Sequence, residues 1–138
     1  METARVVIDT DILIDLLRNV RTAVDSISEM EGRGHLLSTT AMNAFELYYG
    51  ASKSRKRREN LASAKRLLER LVILEMDLTS AEYAGRIYAE SEERGQPIGL
   101  RDAIIGAITL TEGYAILTRN IEHFKRIPGL TLIHSPKT

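Results

Sequence analysis

The stretch Val6-Val7-Ile8-Asp9-Thr10-Asp11-Ile12-Leu13-Ile14-Asp15-Leu16-Leu17 decides how this chain is read. Its first three residues are β-branched and apolar without alternation, which predicts a strand buried on both faces, as in a parallel sheet. After Asp9 the apolar positions change spacing to Ile12, Leu13, Leu16 and Leu17, the stripe of an amphipathic helix, with Thr10 or Asp11 as its N-cap. The order is therefore strand, carboxylate, helix. In open α/β sheets ligands bind beyond the carboxyl ends of the strands, where Asp9 falls. Asp11 reads as a helix-capping acid favoured by the helix dipole. Asp9 reads differently, because a carboxylate directly after Val-Val-Ile is partly desolvated and needs a partner.

Working outward, helix-spaced apolar residues in 20–32 end at Gly32, and His35–Ser38 is a short second strand. Thr39 and Thr40 can cap a helix from Ala41 to Ala51. On it Met42, Phe45, Glu46 and Tyr49 form one stripe, so Glu46 is expected in the apolar seam. Residues 53–70 open with the basic run Lys53–Arg58 and continue as a core-facing helix through Leu61, Ala64, Leu67 and Leu68. Leu71–Leu74 is a third strand. A helix begins at Thr79 or Ser80 and stops at Gly95, and another spans Leu100 to Thr111 with Asp102 in its first turn. Tyr114–Thr118 is a fourth strand, Asn120–Arg126 a short helix and Leu130–Ile133 a last strand. Strands alternating with helices predict right-handed crossovers and a three-layer α/β/α sandwich on a mostly parallel sheet of four or five strands.

The length, 138 residues, fits a single domain over 1–138. Nineteen basic and 19 acidic residues balance, so local clustering rather than net charge must reveal any nucleic-acid surface. The absence of cysteine removes disulfides, thiolate metal sites and cysteine nucleophiles. No leader-like or membrane-spanning run is present in the sequence, which predicts a cytoplasmic protein without membrane contact.

Three acids remain that solvation does not explain: Asp9, Glu46 and Asp102. If the fold gathers them, they cannot all ionise unaided, since each raises the pKa of the others. A divalent cation resolves the conflict, and oxygen-only donors select Mg²⁺ or Mn²⁺ over zinc. The reaction class that follows is hydrolysis of a phosphodiester by metal-activated water.

Four segments in order, Val7–Ile14, Phe45–Ala51, Leu100–Ala107 and Leu117–Phe124, resemble the motifs of the PIN-domain nucleases, and in particular the VapC-type toxins of toxin–antitoxin systems. The resemblance implies a compact α/β/α homodimer that cuts single-stranded RNA at an acidic Mg²⁺ or Mn²⁺ site and is held inactive by a small cognate antitoxin protein. It implies Asp9, Glu46 and Asp102 as catalytic metal ligands, with Thr10, Thr118 and Asn120 orienting ligands or water through hydrogen bonds. In the fourth motif Asn120 and His123 stand where many relatives carry an acid, which leaves one metal or two open and makes Glu122 a substitute donor from a shifted turn. For Lys53–Arg58 it leaves RNA contact, or a dimer and antitoxin surface. Two other readings compete. Asp9-Thr10-Asp11 looks superficially like the nucleophile motif of haloacid-dehalogenase-like phosphatases, but no lysine stands at a strand end to support it. A catalytically weak PIN-like module that binds RNA or protein is the non-enzymatic alternative. His123 and His134 lack metal-ligand spacing and read as surface or packing residues, and Tyr48, Tyr49 and Tyr88 read as core and interface residues rather than base-stacking ones.

Overall fold

In the computed structural model, which describes residues 4–134, five strands form one all-parallel sheet in the order β3-β2-β1-β4-β5. The strands are β1 (Arg5–Ile8), β2 (Leu36–Thr40), β3 (Val72–Leu74), β4 (Ala115–Thr118) and β5 (Leu132–His134). The helices are α1 (Thr10–Leu17), α2 (Arg21–Gly32), α3 (Ala41–Lys53), α4 (Arg57–Glu69), α5 (Leu78–Glu93), α6 (Leu100–Thr111) and α7 (Ile121–Phe124). The α/β/α expectation holds, with the sheet at the larger of the two strand counts. The expected unit 1–138 runs past the described residues at both ends.

Alternation along the central strands sorts the core into two layers. Val7 and Ile116 point to the side covered by α5 and α6, where they pack with Ile87, Ile105, Ile108 and Phe124. Val6, Ile8 and Leu117 point to the opposite side, against Ile12, Leu13, Ile27, Leu47 and Leu68. A strand sandwiched between two helical layers has no polar face, which is why Val6-Val7-Ile8 shows none and is fully buried. Its neighbour β2 carries Ser38, Thr39 and Thr40 at complete burial. Those hydroxyls are tolerated because they are paired: Ser38 donates to the Val6 carbonyl at 2.8 Å and Thr39 to the Ile8 carbonyl at 2.7 Å.

The chain lays down β1, β2 and β3 in one direction, then returns to place β4 on the other side of β1. The carboxyl ends of β1 and β4 thus flank the point where the order reverses, the crevice in which such sheets bind ligands. The Asp9 amide donates to the Leu117 carbonyl at 2.9 Å, holding the exits of the two strands together.

Several helix starts differ from the sequence expectation. The N-cap of α1 is Asp9 itself, whose Oδ1 accepts from the Thr10 amide at 2.8 Å, and not Thr10 or Asp11. The N-cap of α5 is Asp77, in a reciprocal box with Ser80, rather than Thr79 or Ser80. On α3 the buried stripe is Asn43, Leu47 and Ala51, while Phe45 and Tyr49 are 61% and 55% exposed. The expected apolar seam is therefore split: Met42 packs against the core, Phe45 and Tyr49 face outward, and Glu46 sits at the border. Two stripes of similar hydropathy exist on this helix. The one carrying the polar Asn43 is buried because that amide has partners waiting at the end of the sheet.

Candidate active site

Asp9 leaves β1 at the switch point, 2% exposed, with a hydrogen-bond donor on each side. Its Oδ1 accepts from the Thr10 amide, from Asn43 Nδ2 at 3.1 Å and from Arg101 Nη2 at 3.1 Å. Its Oδ2 accepts from the Thr118 hydroxyl at 2.8 Å, at the end of β4. Thr118 is in turn fixed by the Asn120 amide, which donates to Thr118 Oγ1 at 2.9 Å. The orientation of this carboxylate is thus set by two strand ends and three helices, α1, α3 and α6.

Asn43 organises the second approach. Its Oδ1 accepts from the Thr40 hydroxyl at 2.7 Å, and its Nδ2 donates both to Asp9 and to Thr10 Oγ1 at 2.8 Å. With its lone pair engaged, the Thr10 hydroxyl donates onward to Glu46 Oε1 at 2.5 Å. A directional chain of donors therefore runs Thr40, Asn43, Thr10, Glu46, and only one orientation of the Asn43 amide satisfies it. Sequence reasoning does not find Asn43. The signal for it is its place three residues after Thr40, the reciprocal capping position.

Asp102 arrives from the first turn of α6, buried, on the far side of a single cation. That cation is Arg101, its neighbour in sequence. The guanidinium meets all three acids: Nε donates to Glu46 Oε2 at 2.5 Å, Nη2 to Glu46 Oε1 at 2.7 Å and to Asp9, and Nη1 to Asp102 Oδ1. Asp9, Glu46 and Asp102, separated by 37 to 93 positions in the chain, are thus brought to one point. As the side chains stand, no group of three or more acidic, histidine or cysteine side chains among the described residues is placed to hold a metal ion, because the guanidinium lies between them. Arg101 falls inside the third sequence motif, yet nothing in the sequence alone gives it a role.

Electrostatics follow the geometry. Burial alone would push the Glu46 carboxyl up, but hydrogen bonds from Arg101 and Thr10 and the Arg101 charge outweigh it and hold Glu46 below the usual range. Burial raises the Asp102 carboxyl; Arg101 offsets part of that and the Asp9 charge adds to it. Burial likewise disfavours the charged form of Arg101, yet its carboxylate partners more than compensate, so the guanidinium is charged at any accessible pH.

The rest of the fourth motif lies at the rim. Asn120 Nδ2 and His123 Nδ1 are 2.9 Å apart, and His123 Nδ1 is 3.5 Å from Asp102 Oδ2. His123 is exposed, as expected, and stands at the rim of the site beside Asp102. Glu122 makes no such contact: it is 76% exposed and paired with Lys125 at 2.8 Å, so it supplies no shifted donor. Asp11, in the first turn of α1 rather than at its cap, accepts from the Ile12 amide at 2.8 Å and from the Arg119 amide at 3.0 Å. Arg119 also pairs with Asp15 at 3.3 Å. Two open clefts meet here. One is lined by Asp9, Asp11, Arg101, Arg119 and Asn120, the other by Gly99, Arg101, Asp102, Asn120, His123 and Arg126 among others. The basic side chains of the run Lys53–Arg58 are exposed across the end of α3 and the start of α4, and its Ser54 lines a further cleft together with Glu46.

Comparison with known proteins places the chain in a family. The PIN domain profile matches residues 6–130. The chain is 30% identical over 125 residues to Ribonuclease VapC2 of Rickettsia felis, covering 91% of this chain and 93% of that one. It is 33% identical over 124 residues to the tRNA(fMet)-specific endonuclease VapC of Shigella flexneri, covering 89% and 92%. Its fold superimposes with a TM-score of 0.86 and 27% identity on a chain in the crystal structure of VapBC2 from Rickettsia felis bound to a DNA fragment from their promoter, over 94% of this chain and 98% of that one. The same score, at 26% identity, relates it to a chain in DNA-bound VapBC from Salmonella typhimurium, over 98% and 100%. The chain belongs to the PIN-domain family and is of the VapC type.

Proposed function

We propose that this protein is a metal-dependent endoribonuclease, the toxin half of a toxin–antitoxin pair, cutting single-stranded RNA in the cytoplasm as one nuclease domain over 1–138. The observation that carries the reading is the meeting of Asp9, Glu46 and Asp102 around one positive charge at the switch point of the sheet. A cluster of carboxylates that already accommodates a cation is a donor set suited to a hard divalent ion, Mg²⁺ or Mn²⁺, with Asp9, Asp102 and Glu46 as its ligands. When bound, such an ion supplies charge to the phosphoryl oxygens and acidifies a water molecule.

The protein's own groups set the geometry around it. Thr118 and the Thr10 amide fix both oxygens of Asp9, so its position costs no reorganisation when substrate arrives. Thr10 fixes one oxygen of Glu46. Asn120 holds Thr118 through its amide and, with Arg119 and His123, lines the open clefts by which a single strand approaches. The proposed partners are RNA, a second copy of the chain and a small antitoxin. The antitoxin fits because a desolvated acidic pocket pairs well with a basic side chain offered in trans, which here must compete with Arg101.

The experiment is end-mapped cleavage of RNA, with tRNA(fMet) as the first substrate because two relatives are named for it. Cleavage supported by Mn²⁺, abolished by excess EDTA and absent from a folded Asp9→Asn variant is the expected result. Full activity of that variant, or of the wild type in EDTA, refutes the mechanism. The alternative, a catalytically weak module that binds RNA or protein, draws on the neutral Asn120 and the guanidinium filling the pocket. It predicts RNA retained without turnover at saturating Mn²⁺.

A further inference from the structure

We propose that Arg101 is a built-in occupant of the cation position, so that a divalent metal loads this site only by displacing the protein's own guanidinium. The inference rests on the metal-site reading above and deepens it.

The guanidinium is not a bystander at the edge of the cluster. Its Nε and Nη2 take both oxygens of Glu46 in a two-pronged pair, at 2.5 and 2.7 Å, while Nη2 reaches Asp9 Oδ1 at 3.1 Å and Nη1 reaches Asp102 Oδ1. A planar fork of fixed shape satisfies three carboxylates at once, which an ammonium on a flexible stem could not do. It is also wider than a metal ion. Mg²⁺ demands oxygens at about 2.0–2.1 Å from its centre. Carboxylates parted by a guanidinium cannot meet that demand, in keeping with the absence of any metal-ready trio among the described residues. The two occupants therefore exclude each other.

The route out is present. Arg101 stems from the first turn of α6, its side chain is 32% exposed, and it forms part of the wall of both open clefts. Rotation of one side chain clears the centre without moving a helix or strand. The other basic side chains nearby do not take its place: Arg119 is engaged by Asp11 and Asp15, and of the three site acids His123 pairs only with Asp102. Metal affinity is then reduced by the fraction of molecules in which Arg101 has swung away. If the paired state dominates tenfold or more, removing it tightens apparent binding by about that factor.

The test is Mn²⁺ binding to the full chain by isothermal titration, comparing wild type with Arg101→Met, which keeps the apolar stem and removes the fork. At least about tenfold tighter binding in the variant is expected. Equal or weaker binding in the variant, with wild type still binding Mn²⁺, overturns the displacement while leaving the metal reading intact. Failure of both proteins to bind Mn²⁺ overturns the metal reading and this inference with it. Should Arg101→Met not fold, the wild type suffices: the Arg101 Nε–H resonance is expected to be protected without metal and to enter fast exchange with water as Mg²⁺ saturates the Asp9 and Thr10 amide shifts. A resonance unchanged at saturation overturns the proposal.

Discussion

Replacing Asn43 by alanine is the sharpest test of how the site is built into the fold. The side chain is fully buried and makes hydrogen bonds in four directions: from the Thr40 amide at 3.3 Å and hydroxyl at 2.7 Å, and to Asp9 at 3.1 Å and Thr10 at 2.8 Å. A hydrogen bond to an ionised group contributes about 1.5–3 kcal/mol, and each buried polar atom left unpaired costs about 1–3 kcal/mol. Asp9 keeps the Thr10 amide and Thr118, and the Thr40 hydroxyl can rotate toward another acceptor, so the full sum is not lost. An overall destabilisation of about 3 kcal/mol follows, a large share of the roughly 5–15 kcal/mol that holds a small domain folded. In urea, with a slope of about 2 kcal/mol/M, the unfolding midpoint should fall by about 1.5 M at unchanged slope. Asn43→Asp sharpens the test, since it fits the same space but turns an oxygen toward Asp9 Oδ1. It should be the worse variant of the two, because it sets a second carboxylate against the first. A midpoint within about 0.5 M of wild type for the alanine variant would refute the view that this amide is the anchor between α3 and the end of the sheet.

Two further outcomes can be checked at a distance from the site. The Asp77 carboxyl is held below the usual range by the Ser80 amide and hydroxyl, so its capping contribution is complete above the ordinary carboxylate pKa and is lost as pH falls through the lowered one. The gap in thermal midpoint between wild type and Asp77→Ala should accordingly be widest near neutral pH and close in acid; a gap that widens in acid contradicts the capping geometry. Arg57 and Arg58 stand at the N-terminal turn of α4, where the helix dipole disfavours positive charge. Replacing both by alanine should raise stability, by up to about 1 kcal/mol. If the run binds the RNA backbone, the same change lowers RNA affinity and flattens the logarithmic salt dependence by about 0.7 for each phosphate no longer neutralised. Unaltered salt dependence assigns the run to a protein surface instead.

How much of this is legible in the sequence varies by element. The strand order is not, but the strands are: Val6-Val7-Ile8 has no polar face because it has helices on both sides, and the same holds for Ala115–Leu117. The start of α3 at Ala41 is legible, with Thr40 as its cap, whereas the starts of α1 and α5 are misplaced by one or two residues. Asp9 and Asp77 win over the neighbouring threonine and serine because their carboxylates reach the first free amides while the chain is still extended. Hydropathy picks the wrong face of α3. It ranks Phe45 and Tyr49 above Asn43, but burial follows where hydrogen-bond partners wait, and four of them wait for that amide. Glu46 is singled out by an argument about the wrong seam and still lies at the site, because the border between the two stripes faces the sheet end.

The cation shows where a charge argument on sequence stops. Three acids on separate elements cannot share a pocket without positive charge. That reasoning establishes that a cation is needed and says nothing about whether solvent or the chain supplies it. Both sources are present in the same motif, since the residue before Asp102 is an arginine whose stem leaves the same helical turn. A metal gives the cluster charge density and open coordination positions for substrate. A guanidinium gives it charge, fixed directions and no open position. In the resting arrangement the second satisfies every carboxylate, so the folded protein needs no metal to tolerate its own active site. Such an arrangement makes the Asp9 charge part of the fold as well as of the site. Asp9→Asn should then remove cleavage and also lower the unfolding free energy, because the substitution takes away the charged acceptor shared by the Thr10 amide, Asn43, Thr118 and Arg101. A variant that unfolds at the wild-type urea midpoint would refute the view that these donors are balanced against a carboxylate.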